Sequence, residues 1–398
     1  MSDHEAPSVR ATVAASPASG AYRAERGRPV AANLGWPARR GRRRRPEVAI
    51  LVDPRFPGGT AAAVAAEIAA LAPHVDLEVH ALRGRMLDGR EDGPALRAAL
   101  ADAGLALVEN ARAVRAEAIV LHNPSCLKRD AALDIRLSAA RLYVVTHENF
   151  LRPGGAEGFD VGHCLGLIDA ARACGVPALA PISPANRAGV LAWTAAHGGA
   201  WPVAPGDWFN ILDLPLAPPN PAPRDRRGRH SRPGFEKFPP LARLARQFPA
   251  HAESCAILGA DGLMLEGETP PRHWRLYRFN EIEPARFLAG IDFFVYFTNP
   301  LWQESFGRVI AEAIAAGKVV ITDPATAEVF GDAVIADPEE GRGDNLDRVI
   351  AGFVADPARY QRFVRSAQAS LARFRPEAFA RRFLARLDAE SEVADALL

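Results

Sequence analysis

A chain of 398 residues, 48% hydrophobic and 24% charged, is long enough for two globular cores and too apolar to remain unfolded. A formal net charge of +1 names no partner, and no apolar run approaches the ~20 residues of a membrane span. The four cysteines (Cys126, Cys164, Cys174, Cys255) lack C-x-x-C spacing, which argues against a zinc site or a disulfide framework and fits a reducing cytoplasm.

Residues 1–45 are rich in Ala, Ser, Pro and Arg, lack apolar periodicity, and are expected to be disordered, with no apolar signal core. The like-charge block Arg39–Arg45 reads as a solvated tail. At most it makes weak contact with a membrane surface, and no nucleic-acid partner is expected. Val48–Val52 then reads as a buried strand, Asp53–Gly59 as a turn, and Thr60 as the cap of a helix reaching Leu71. A strand, a turn ending in Gly58-Gly59 and a helix could cradle phosphate. The dinucleotide fingerprint G-x-G-x-x-G is absent, which counts against a nicotinamide enzyme. Val75–Leu82 follows as a strand, Pro94–Glu109 as a helix, and Ala118–His122, Leu142–Thr146 and Pro177–Ile182 as strands, with a helix from near Pro184. Repeated strand–helix units predict a parallel sheet covered by helices on both faces. His122 and His147 fall at carboxyl ends of strands, where ligands bind in such sheets, although polar residues there also serve simply to hold loops.

From Trp208 to Pro223 the chain is proline-rich and reads as an interdomain linker. Residues 224–239, RDRRGRHSRPGFEKFP, are either a basic surface loop or a set of cations suited to a diphosphate. Strands at Ala256–Leu258 and Trp274–Tyr277 precede a short helix opened by Asn280–Pro284. The most informative stretch is next: a strand over Asp292–Thr298, a helix over Phe306–Ala316 stopped by Gly317, and a strand from Val319. Glu304 stands just before that helix, Gly307 lets backbone come close to a ligand, and Glu312 lies about two turns in. Two carboxylates bracketing a helix N-terminus suit a ligand that carries both hydroxyls and phosphate. The plainer alternative makes Arg308 and Glu312 a surface ion pair and Glu304 a helix-start charge. Helices at Leu346–Ala355, Pro357–Phe374 and from Pro376 complete the chain.

Glu304-x7-Glu312, with Ser305-Phe306-Gly307 inside it, resembles the E-x7-E signature of the retaining family-4 (group 1) glycosyltransferases. The resemblance implies an α/β chain of GT-B fold, two Rossmann-like parallel-sheet domains facing a central cleft. It implies Glu304 on hydroxyls of the transferred sugar, Glu312 on the ribose, and the amides around Phe306-Gly307 near sugar and diphosphate. The segment VVTHENF is similar to the family stretch whose histidine lies beside the donor sugar, which implies a catalytic role for His147, with Glu148 secondary, alongside the Glu304 of the E-x7-E match. Gly58 and Gly59 are similar to the family's glycine loop near donor phosphates. Gly228-Arg229 and Lys237 match a Gly-Arg and a Lys that hold those phosphates, with Arg232 close by. The upstream PAPRDRR departs from the family because it is not an apolar strand, and the loop to Lys237 is longer than usual. Ala325–Glu328 and Gly331–Pro338 resemble the family's next loop and strand.

The implied organisation is a tail (1–45), an acceptor-side domain (46–212), a nucleotide-sugar domain (213–374) and a terminal helix crossing back (375–398). The expected protein is a cytoplasmic transferase with no cofactor. No D-x-D pair stands where a metal would be needed, so it is expected to be metal-independent. It moves a sugar with retention from a nucleotide-diphosphate sugar to a glycan, lipid or small-molecule acceptor. A non-catalytic relative that binds a nucleotide sugar or a protein partner is the alternative.

Overall fold

The computed structural model describes residues 44–56, 58–264 and 269–396. The expected disorder of the tail, and most of the Arg39–Arg45 run, fall outside these residues. From Arg45 onward the chain forms one compact unit. It holds two parallel six-stranded sheets, as the strand–helix alternation predicts.

The first sheet comprises β1 (Glu47–Val52), β2 (Asp76–Ala81), β3 (Leu107–Val108), β4 (Ala113–His122), β5 (Arg136–Thr146) and β6 (Arg172–Pro181), in the order β3-β2-β1-β4-β5-β6. Its helices are α1 (Gly59–Leu71), α2 (Pro94–Asp102), α3 (Val161–Ala171) and α4 (Pro184–Ala196). Val48 to Val52 are buried without alternation, because helices cover both faces of the sheet. The second sheet comprises β7 (Arg226–His230), β8 (Ser254–Leu258), β9 (Trp274–Tyr277), β10 (Phe293–Tyr296), β11 (Val319–Thr322) and β12 (Ile335–Ala336), in the order β12-β11-β10-β7-β8-β9. Around it lie α5 (Leu241–Gln247), α6 (Asp261–Met264), α7 (Pro284–Ala289), α8 (Arg308–Ala315), α9 (Pro324–Phe330), α10 (Asn345–Ala355) and α11 (Pro357–Ser370), and α12 (Pro376–Ala396) ends the chain. Both sheets reverse direction between their first and fourth strands, and such crevices at strand carboxyl ends receive ligands.

Four local expectations are corrected. The helix from Pro94 ends at Asp102 and the chain enters β3, since Gly104 at φ 67° turns the backbone out of the helix. Thr60 is buried inside α1, whose N-cap is Gly58 at φ 73° with no side-chain cap. Pro324–Phe330 is a helix rather than a loop, capped by the Asp323 carboxylate accepting from the Thr326 N–H at 2.9 Å.

The fourth correction matters most. Arg226–His230, for which a basic surface loop is one of two readings, is a strand in the middle of the second sheet, between β10 and β8, as the Gly228-Arg229 resemblance places it. An RRGRH sequence can be buried there because each cation has a partner. Asp292 accepts from Arg226 Nε at 2.7 Å, and also from the Arg224 N–H at 3.0 Å and Asn220 Nδ2 at 2.8 Å. Arg227 donates to Asp225 at 2.7 Å and to the Gln247 carbonyl at 3.1 Å, and pairs with Asp347 at 2.7 Å. Gly228 is a packing requirement, since a Cβ there would sit 2.7 Å from Ile291 Cγ2.

The C-terminal helix α12 packs on α1 of the first domain. Phe379 and Phe383 meet Trp208 edge-on at 5.7 and 5.8 Å, and the Arg386 guanidinium lies 5.2 Å over the same ring.

Asp292→Ala should destabilise the protein by about 3 kcal/mol, because three donors, one of them a cation, lose a common buried acceptor. Urea denaturation of the two proteins measures the difference, which should appear in the midpoint rather than in the slope.

Candidate functional site

Glu304 is the centre of the site. It lies in the loop between β10 and α8, which is braced by Thr298 Oγ1 donating to the Trp302 carbonyl at 3.1 Å and by the Asn299 N–H donating to the Glu236 carbonyl at 3.2 Å. Its Oε1 accepts from Lys237 Nζ and from the Tyr296 hydroxyl, the latter at 2.6 Å. Burial alone would push this carboxyl upward, but the Lys237 ammonium and the two donated hydrogen bonds outweigh it, and Glu304 lies below the usual carboxylate range. Burial, then the neighbouring Glu304 charge, drives the Tyr296 phenol well above its ordinary value and keeps it a donor. Oε2 of Glu304 makes no hydrogen bond to any described residue.

Arg229 is placed differently from expectation. Its side chain is wholly buried, donating to the Phe297 carbonyl at 2.9 Å and to the Lys237 carbonyl, with its guanidinium 4.5 Å over Phe238 and 4.9 Å over Tyr296. Burial lowers it to about 10, against the upward pull of Tyr296 and Glu304. It therefore acts as a strut beneath Lys237 and Tyr296 and offers no face to a phosphate. Arg232 remains half out in solvent and pairs with Glu236 at 2.7 Å.

Gly307 caps α8 at φ 86°, in the left-handed region that favours glycine. The Ile310 N–H bonds back to the Gly307 carbonyl at 2.9 Å, and the amides before it begin the helix without intrahelical partners. The Phe306 ring points inward against Phe330 and Phe374, so only its backbone can serve a ligand. Ser305 gives its carbonyl to the Ser183 hydroxyl. Glu312 pairs with Arg308 at 3.1 Å. Its other oxygen also stands 3.7 Å from the buried His230 ring. Burial raises Glu312, partly offset by Arg308. Burial, then Arg229, lowers His230 to about 4.

The first domain approaches this loop directly. Asn149 Nδ2 donates to the Gln303 carbonyl at 3.0 Å, and the Arg152 guanidinium lies 4.8 Å over the Trp302 ring. His147, at the carboxyl end of β5, is thus two residues from a contact with the residue preceding Glu304. Its Nε2 lies 3.0 Å from His122 Nδ1. Burial, then His122, lowers His147 well below an ordinary histidine, so it is neutral at pH 7. His163 is tied to the Asp130 carbonyl at 2.8 Å. Gly58 lines a hollow of about 580 Å³ with Arg55, Arg90 and Arg97, all from the first domain. Gly59 is exposed beside it, with open space where a Cβ would stand. Among the described residues, no group of three or more His, Cys, Asp and Glu side chains is placed to hold a metal ion, and no helix is long and apolar enough to cross a membrane.

Sequence reasoning passed over Tyr296, Ser183 and Asn149. Tyr296 alone left a trace, as the one hydroxyl in the run FFVYF.

The sequence matches no protein-family model and no curated protein. The structure does find relatives. HepE from Anabaena, solved with UDP and glucose, aligns over 86% of this chain and 99% of its own, with a TM-score of 0.58 at 16% identity. Sucrose-phosphate synthase from Thermosynechococcus elongatus aligns over 87% and 99%, with a TM-score of 0.56 at 16% identity. Trehalose-6-phosphate synthase OtsA aligns over 86% and 98%, with a TM-score of 0.53 at 10% identity. The chain has the GT-B fold. In this GT-B chain the carboxyl ends of β5 and β6 meet the loop that carries Glu304, and Lys237 reaches the same carboxylate from the end of β7.

Lys237→Met should cost about 3 kcal/mol at pH 7, since it leaves a buried carboxylate unpaired. In the wild type, the depressed Glu304 contributes stability above the unfolded carboxyl value and loses it as pH falls through the folded value. In the variant, less opposes the effect of burial, so Glu304 takes up a proton at a higher pH than in the wild type. The gap between the two proteins should therefore narrow from pH 7 to pH 4, as read by urea unfolding at each pH.

Proposed function

We propose that this protein transfers a glycosyl group from a nucleotide-diphosphate sugar to an acceptor, with retention at the anomeric carbon. One observation carries the reading: Glu304 is held by Lys237 and Tyr296 at the N-terminus of α8, with one carboxylate oxygen spare. A buried carboxylate so oriented can accept from sugar hydroxyls, while the adjacent ammonium and helix amides favour the neighbouring diphosphate. The relatives of this fold support the substrate class, since HepE is solved with UDP-glucose and two others are sugar-phosphate synthases.

On this reading Glu304 Oε2 takes hydroxyls of the transferred sugar. Lys237 turns from Glu304 to the leaving diphosphate, joined by the half-exposed Arg232 head and the backbone around Ser305, Phe306 and Gly307. Charge stabilisation at a leaving group is usually the largest catalytic contribution. Glu312, at the side of α8 facing His230, takes the ribose hydroxyls. His147 stands across the seam beside the sugar, and the acceptor enters from the first domain, where Gly58 and Gly59 border a hollow. Retention is inferred from the E-x7-E spacing. Neutralisation by Lys237, Arg232 and the α8 amides makes the reaction metal-independent, and the setting is cytoplasmic.

A thermal-shift screen against nucleotide diphosphates and their sugars should raise the melting temperature with one base preferred. Glu304→Gln and Lys237→Ala should each lower donor turnover roughly 10²–10³-fold, and EDTA should leave the wild-type rate unchanged. Intact donor binding with no turnover in the wild type would instead indicate a non-catalytic binder of nucleotide sugars.

A further inference from the structure

Helix α1 reads GTAAAVAAEIAAL, and its single acid, Glu67, is buried in an otherwise apolar helix. Burying a carboxylate is costly unless its oxygens are satisfied. One oxygen is: Trp208 Nε1 donates to Oε2 at 2.9 Å. The other, Oε1, faces His122 Nε2 at 3.5 Å, an ion-pair distance rather than a formed hydrogen bond, and neither atom has a hydrogen-bond partner among the described residues. Beyond it, His122 Nδ1 lies 3.0 Å from His147 Nε2, with the two rings stacked at 5.3 Å. The result is a line of acid, imidazole and imidazole running from the inside of the first domain to the seam beside Glu304.

We infer that Glu67 and His122 are positioning residues that fix the tautomer of His147, presenting its Nδ1 as a hydrogen-bond acceptor for a sugar or acceptor hydroxyl. The direction follows from the inner end. An ionised carboxylate only accepts, so a neutral His122 carries its one proton on Nε2. Its Nδ1 is then a bare acceptor, so His147 must donate from Nε2 and carries no proton on Nδ1. No described residue bonds that Nδ1, and His147 is half-buried. The lowered basicity of His147 is consistent with a ring that stays neutral and keeps this acceptor at pH 7. Trp208 completes the arrangement by holding Glu67, and α12 holds Trp208 through Phe379 and Phe383.

The test exploits the fixed indole. In Glu67→Gln the Trp208 N–H selects the amide oxygen, so the amide nitrogen faces His122 Nε2 and donates to it. His122 must then hold its proton on Nδ1, and His147 becomes the Nδ1–H tautomer. Ring-nitrogen NMR of ¹⁵N-histidine-labelled protein should show Nε2–H for His147 in the wild type and Nδ1–H in Glu67→Gln. An Nδ1–H wild type, or a variant with the tautomer unchanged, overturns the relay. Should Glu67→Gln fail to fold, the wild-type spectrum alone decides. The consequence for turnover rests on the glycosyl-transfer reading: donor hydrolysis should fall roughly 10–100-fold, in the range of supporting-residue effects, while the thermal shift given by nucleoside diphosphate alone is unchanged. A tautomer switch in a protein that no nucleoside diphosphate stabilises would sink glycosyl transfer and leave the relay standing.

Discussion

A cation can enter the interior of a parallel sheet only if its partners are in place when it leaves water, because burying an unpaired charge costs several kcal/mol. Strand β7 carries three arginines and a histidine into that position. The geometry of the site depends on how they are matched. Asp292 and Asp225 hold the first two arginines at the amino-terminal end of the strand. Arg229, lacking an acid of its own, is accommodated between two aromatic faces and two carbonyls. Because one of those carbonyls belongs to Lys237, the strut also sets where the loop returns and hence where the Lys237 ammonium meets Glu304.

Three titratable groups near one seam are thereby pushed in different directions. Glu304, buried but given an ammonium and a phenol, stays ionised below the normal range. Glu312, half-buried with a single half-exposed arginine, is raised. His147, half-buried beside another imidazole, is lowered. Separation of this kind by environment is how one fold supplies both fixed charge and neutral acceptors within a small volume.

The two domains are joined at this place by more than a linker. Asn149 and Ser183 donate across to backbone carbonyls on either side of Glu304, and Arg152 covers Trp302. On the far side α12 clasps α1 through Trp208. The same tryptophan also holds Glu67, so the strap that joins the domains is linked physically to the histidines at the seam.

Periodicity and punctuation in the chain determined the two parallel sheets, the β10–α8–β11 unit and the bracketing of a helix start by Glu304 and Glu312. Those features depend on neighbours in sequence, where apolar runs, glycine stops and a fixed helical rise decide the outcome. The local pattern of RRGRH gave no sign of a central strand, because its propensity and polarity both argue for a loop, and only the Gly228-Arg229 resemblance pointed to one. Partners distant in sequence, among them Asp292, Asp347 and the Gln247 carbonyl, up to 120 residues away (Arg227 to Asp347), make its burial tolerable. Likewise Arg229 reads from the sequence as a phosphate ligand, and Glu67 is one acid in an alanine-rich helix. Tertiary structure turned the first inward as a strut and set the second against a histidine. Whether a polar side chain meets a ligand or a partner is decided by what the fold brings to it across long sequence separations, and local pattern carries no record of that.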